Sequence, residues 1–352
     1  MTNSDISLLP VELRLKILSL LPLYQLKMVL RVSRGWKEMG EDPILWKNLN
    51  LVISGRTQPV LNQILAMTRL QRLRNIHFSN PVPANQADDV ISLVTAQKSI
   101  KNLDISFSKL SKVQPDKLGV LVKGLEELRM NNCRLTFQQI KTILKVISND
   151  ASCKMQKLYI GTNDLHQLPL DLLAKSIPKL SVFHCDNTYL LDIQTEAMFK
   201  AISKESSRMK ELNIHSIDLS SLPPSLITST LASLESANLW GTMLTQEQLE
   251  DIFNMLPTVT KLKHLNLSNN DLSLIPPYTF SSSISKLIKA ELCHTKLIPI
   301  QITMLLTKVV TNQDNRLTSI DLTGNPQAVN QISSQLLQET RNKLDHVELG
   351  YF

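Results

Sequence analysis

The chain is poor in the residues that mark several protein classes. Its 352 residues include four cysteines, Cys133, Cys153, Cys185 and Cys293, with no Cys-x-x-Cys pair and no cluster. That spacing excludes a disulfide-dense scaffold and points to free thiols in a reducing compartment. Nine glycines and an aromatic content of 5% argue against a glycine-rich sandwich. No apolar run reaches the ~18 residues of a membrane span. The greasiest stretch, near the N-terminus, is interrupted by Glu12 and Arg14 and has no small-residue cleavage site after it. Net charge is +7, with seven basic and five acidic residues in the first fifty. The positive charge is therefore spread out, and nothing marks a nucleic-acid footprint. GxSxG, P-loop, HExxH and dinucleotide glycine motifs are all missing, as is any His/Cys metal spacing. No cofactor, metal ion, membrane or nucleic-acid partner is expected, and no catalytic residue.

What the chain has in quantity is leucine at a fixed spacing. The template LxxLxLxxNxL recurs as "IKNLDISFSKL", "LEELRMNNCRL", "MQKLYIGTNDL", "LKHLNLSNNDL" and further variants, about twelve turns in all. Its fourth position falls at Leu49, Ile76, Leu103, Leu128, Leu158, Phe183, Leu212, Ala237, Leu265, Ala290, Ile320 and Val347. From Leu103 to Ile320, intervals of 25 alternate with intervals of 28 to 30, so the underlying unit is a pair of about 54 residues. Short members end in Leu-Pro or Ile-Pro at Pro169, Pro223 and Pro276, which predicts short proline-led helices. Long members place Thr136 before Gln139 and Thr245 before Gln248, the spacing of a capping box. Asn163, Asn270 and Asn325, at the ninth position, are placed to bond the turn backbone, with Thr188, Thr242, Thr295 or Cys133 doing so less fully. Each repeat is thus a strand, a turn and a helix that cannot bury its apolar face alone. Residues 51–352 resemble a leucine-rich-repeat solenoid of the helix-bearing, ribonuclease-inhibitor-like kind, an α/β fold.

The first fifty residues are different. In "LLPVELRLKILSLLPLYQLKMVLRVSRGW", Pro10 suits the first turn of a helix, with Leu13, Ile17, Leu20 and Leu21 as its apolar stripe. A second helical pattern turns Leu26, Val29, Leu30, Val32 and Trp36 inward, with Gly40 as a stop. Asp42-Pro43 opens a third helix with Leu45 and Trp46. Three such helices cannot form a self-sufficient core. A helical cap for the repeats is the plainer reading, but the density of particular residues exceeds what a cap requires. Leu9, Pro10, Glu12, Leu13, Ile17, Leu18, the second Leu-Pro, Val32, Trp36, Leu45 and Trp46 resemble an F-box at its spacing; Ser33 stands where that pattern often has cysteine. Residues 1–50 are therefore expected to form a three-helix F-box domain.

The resemblance implies a non-catalytic substrate-recognition subunit of an SCF-type cullin–RING ubiquitin ligase, cytoplasmic or nuclear. Leu9, Pro10, Leu13, Ile17, Leu18, Leu21, Leu26, Val29, Val32 and Trp36 would meet the Skp adaptor, and through it the cullin. A protein substrate would lie on the concave strand face of the solenoid, where Phe107, Arg129 and His264 also project. Tyr159, His184, Asp186, His215 and Trp240 span four consecutive turns and are the candidate patch. Trp240 is its centre, since tryptophan at a wet strand position is a frequent interface anchor. The alternative is a scaffold or inhibitor that binds a partner protein and uses its F-box as a cap.

Overall fold

The computed structural model describes residues 9–21, 25, 28–29, 31–40, 42, 45, 50–53, 73–311 and 315–349. Leu26, Leu30, Pro43 and Trp46 lie outside them. Backbone packing divides the chain into two compact units, residues 1–158 and 159–352. Each is built from the same strand–turn–helix repeat.

In the first unit, β1 (Asn50–Ile53), β2 (Asn75–Phe78), β3 (Asn102–Asp104) and β4 (Glu127–Arg129) pair in parallel in chain order. In the second, the same holds for β6 (Val182–His184), β7 (Glu211–Asn213), β8 (Ser236–Asn238), β9 (His264–Asn266), β10 (Lys289–Glu291), β11 (Ser319–Asp321) and β12 (His346–Glu348). β5 (Lys157–Tyr159) straddles the boundary. Register follows the leucine template: Leu103 faces Leu128, Phe183 faces Leu212, Leu265 faces Ala290. The first repeat is an exception. Leu51, not the expected Leu49, pairs with Ile76. A two-residue slip keeps the same in–out alternation, so the hydrophobic pattern by itself does not distinguish the two registers.

The template leucines and their neighbours at the sixth position, such as Ile105, Met130, Ile160, Ile214, Leu239 and Leu267, are buried. Burying one such side chain is worth roughly 1.5–3 kcal/mol, too little to order a lone repeat. After strands β3 to β11 the backbone turns through a left-handed residue, Phe107, Asn132, Thr162, Asn187, Ser216, Asn269 or His294, with Gly241 and Gly324 in the same place. The ninth-position asparagines then tie the turn. Asn270 Nδ2 donates to the carbonyls of Leu239 (2.8 Å) and Leu267 (3.1 Å), and its Oδ1 accepts from the Leu244 N–H at 3.2 Å. Thr188, Thr242 and Thr295 supply one hydroxyl bond to their own turn.

The expected prolines and capping boxes are present. Pro169, Pro223 and Pro276 are the N-caps of helices Leu170–Ser176, Pro224–Ser233 and Pro277–Ile284. Thr136 and Gln139 close a reciprocal box on Phe137–Asn149, and Thr245 and Gln248 do so on Gln246–Met255. The glutamines do more than cap. Gln248 Nε2 donates to the carbonyls of Leu219 (2.8 Å) and Leu222 (2.7 Å) in the preceding short repeat. Gln139 reaches Leu110 and Val113, Gln194 reaches Leu165 and Leu168, and Gln301 reaches Leu272 and Ile275 in the same way. All four are buried. Each long repeat is thereby clasped to the short one before it, which gives the paired period a physical basis.

Candidate protein-binding surfaces

Helix Val11–Ser19 starts where Pro10 caps it, one residue later than the sequence suggests, with Leu13 and Arg14 N–H donating to the Pro10 carbonyl at 3.1 Å. Leu15 and Leu18 are its buried residues. Leu18 was expected on the docking face but is 1% exposed. It points inward with Leu15, three residues before it on the same face, and away from the Leu13–Ile17 side. The opposite face carries the apolar surface: Leu13 is 48% exposed, and Ile17 and Leu20 are exposed beside it, while Val11, also exposed, starts the helix on the Leu15–Leu18 side. Pro10 is exposed, while Leu9, Leu21, Val29 and Trp36 are half-buried.

Val32 corrects the second helical pattern. It is 72% exposed, not turned inward. Ser33 adopts an extended conformation and caps a new helix, Arg34–Met39, its hydroxyl accepting from the Trp36 N–H at 3.3 Å. A serine that can satisfy a first-turn N–H competes with helix continuation. Gly40 closes that helix as expected. Leu45 is helical and fully buried.

All five strand-face candidates lie in the second unit. They form two edge-on ring pairs across neighbouring repeats. Tyr159 and His184 have centroids 4.4 Å apart, and His215 and Trp240 4.0 Å apart. His184 Nε2–H donates to Glu211 Oε1 at 2.7 Å, which fixes its ring. Tyr159 is 6% exposed, so it forms a wall behind His184 in place of an open contact. His184, Asp186, His215 and Trp240 are half-buried, with an open side. Burial holds His215 below the usual imidazole range, opposed by the nearby Asp186 carboxylate. Asp186 lies over Gly161, where any Cβ would collide with its carboxyl group. The absence of a side chain at Gly161 is what admits the acid there.

A feature that the sequence did not single out lies on the strand face of the first unit. A cavity of about 340 Å³ is lined by Asn75, His77, Asn102, Asp104, Glu127 and Arg129. Its charges are paired: His77 Nδ1–H donates to Asp104 at 3.0 Å and Arg129 Nε–H to Glu127 at 2.7 Å. His77 and Arg129 both sit in the fifth template column, so strand periodicity placed them on this face; their ion pairs with neighbours do not follow from it.

Three of the four thiols are not poised for chemistry. Burial pushes Cys133 and Cys293 up to about 12, and Cys185 upward as well. Such groups stay protonated at neutral pH. His294, beside Cys293 in sequence, is turned over Gly324. Among the described residues, no group of three or more His, Cys, Asp or Glu could hold a metal ion, and no helix is long and apolar enough to cross a membrane.

Comparison with known proteins agrees with this division. Residues 6–52 match the F-box-like family model, and residues 261–283 match the Leucine Rich Repeat model. No curated protein matches the chain. Among solved structures, the leucine-rich-repeat protein LIC12759 of Leptospira interrogans is 17% identical, with 89% of this chain and 86% of that one covered at a TM-score of 0.50. The leucine-rich-repeat-containing protein LegL7 from Legionella pneumophila is 16% identical over 72% of this chain and 86% of its own, at 0.47. At these identities the likeness concerns the fold alone. An F-box-like domain at the N-terminus followed by leucine-rich repeats gives this chain the architecture of an F-box/leucine-rich-repeat protein.

Proposed function

We propose that the chain is the substrate-recognition subunit of an SCF-type cullin–RING ubiquitin ligase, working in the cytoplasm or nucleus. The observation that carries the reading is an exposed apolar face, Leu13, Ile17 and Leu20, on the first helix of the F-box-like segment. Leaving such side chains in water is unfavourable, and a Skp adaptor would cover them. The strand face of the second unit would hold the target, with Trp240 and His215 as its anchors. This subunit itself would be non-catalytic. It would raise ubiquitin transfer by fixing the target near the loaded enzyme, an effect of proximity.

The test is co-purification with the Skp adaptor and cullin. A Pro10→Ala, Leu13→Ala, Ile17→Ala triple variant should lose the adaptor while the repeats stay folded by circular dichroism. Unchanged recovery of the adaptor would sink the reading. Adaptor without cullin would favour the second reading, a scaffold or inhibitor that uses its F-box for adaptor contact or as a cap. That alternative rests on Leu15, Leu18 and Leu45, whose burial shows that the N-terminal segment also packs inward.

A further inference from the structure

A second cavity, of about 230 Å³, opens on the helix side of the first unit. It lies where helices Ala87–Ala96 and Pro115–Gly124 end. Its floor is apolar, from the buried Val94, Ile100 and Leu121, with the exposed Val120 at the edge. Gly124 faces open space at the mouth, where a Cβ would meet nothing within 4 Å. Four lysines, Lys98, Lys101, Lys123 and Lys154, line the rim.

Lysines near helix C-termini ordinarily complement the dipole and bond the last carbonyls. Lys101 does this, donating to the Gly124 carbonyl at 3.3 Å. Lys123 is held by Asp150 at 2.7 Å, which raises the Lys123 pKa and draws that of Asp150 down to about 2. Lys98 and Lys154 are different: both are exposed, and neither makes a hydrogen bond or ion pair among the described residues. The result is a small apolar hole whose rim carries two positive charges, Lys98 and Lys154, without a partner among the described residues. Its volume is below the roughly 300–1,000 Å³ of pockets for drug-sized molecules, so it suits one side chain better than a metabolite.

We propose that this cavity docks an acidic peptide segment of a partner protein. One leucine, isoleucine or methionine of the segment enters the hole, and flanking aspartates or glutamates meet Lys98 and Lys154. Charge complementarity selects the partner and the apolar floor anchors it. The surface shares no residue with the N-terminal apolar face or with the Tyr159–Trp240 patch, so the proposal stands independently of the function above.

A random-peptide phage library panned on the full-length chain tests it. Enriched peptides should carry one aliphatic residue among acidic neighbours. A synthesised winner, followed by fluorescence anisotropy, should bind the Lys98→Glu, Lys154→Glu variant about tenfold or more weakly, the scale of two rim attractions turned into repulsions. Val120→Glu should weaken it as well, and Trp240→Ala should leave it unchanged. All three variants alter side chains outside the buried core of the repeats, and circular dichroism melts check that they fold. The proposal is overturned if no acidic–aliphatic peptide is enriched, if the winner ignores the lysine and Val120 changes, or if Trp240→Ala abolishes its binding. Lysine-dependent binding of phosphatidylserine vesicles or heparin with no peptide selected would assign the rim to another class of ligand and overturn it equally.

Discussion

His215 shows how one side chain can report the state of the strand face. It sits edge-on against Trp240, with Asp186 nearby, and burial keeps its pKa below the ordinary 6.5. A depressed pKa means that between the folded value and 6.5 the unfolded chain binds more protons than the folded one. The contribution to stability is then fully present above pH 6.5 and is lost as pH falls through the folded value. NMR titration should give a His215 midpoint below 6.5, and Trp240→Ala, by letting water in, should move it upward. Urea midpoints should fall between pH 7 and pH 5 more in the native chain than in His215→Asn. A midpoint at or above 6.5 would contradict the buried pairing. Gly161 belongs to the same scale. Gly161→Ala leaves no room for the Asp186 carboxylate where it lies, so the His215 midpoint, which that acid influences, should shift in that variant.

At the scale of the element, the glutamine clasp was only half legible. Thr-x-x-Gln spacing announces a capping box from residues close in sequence. That the same Gln248 amide also holds the Leu219 and Leu222 carbonyls depends on a neighbouring repeat almost thirty residues back, which no local pattern contains. Gln194 and Gln301 escaped notice because Leu191 and Ile298 precede them where threonine stands in the other two repeats. Truncating Gln248 to alanine takes the amide from both carbonyls, leaves that of Leu222 without a donor while Leu219 keeps the Leu222 N–H, and breaks the helix cap, so it should cost about 2–4 kcal/mol in urea denaturation. Gln246→Ala, on the exposed side of the same helix, should stay within about 0.5 kcal/mol. Equal effects at the two positions would show that the clasp is not structural.

The first helix teaches the complementary lesson. Its leucines are dense enough that more than one stripe can be drawn at helical spacing, and Leu18, which the resemblance placed among the adaptor contacts, lies on the buried one. Leu18→Asp should therefore unfold the N-terminal segment, burying a charge where 1% of the side chain meets water. Leu13→Asp should leave the melting curve within about 0.5 kcal/mol of the native one and abolish adaptor capture. Ser33 makes a similar point, since a serine within a helical pattern is read as part of the helix until its hydroxyl is seen capping the next one.

At the scale of the whole molecule, two surfaces are assigned to two partners, and the proposal requires that they act separately. Trp240→Ala should lower target capture in an affinity purification and leave adaptor recovery unchanged, and Leu13→Asp should do the reverse, with additive effects in the double variant. Loss of both partners from either single change would mean that one surface serves both.

The sequence by itself determined the repeat, its paired period, the inward leucine columns and which residues share the strand face, because these follow from a chain whose side chains alternate with a period of two and whose turns recur at fixed intervals. It could also announce the F-box-like segment, whose motif is local. Only the tertiary structure decided the rest: the Leu51 register of the first repeat, the inward turn of Leu18, the carbonyls each glutamine reaches, the meeting of His215 with Trp240, and the lodging of Asp186 in the space that Gly161 leaves. Those depend on distances between residues 25 to 30 positions apart, and such distances are set by how repeats stack, which is a property of the packed core and of no single segment.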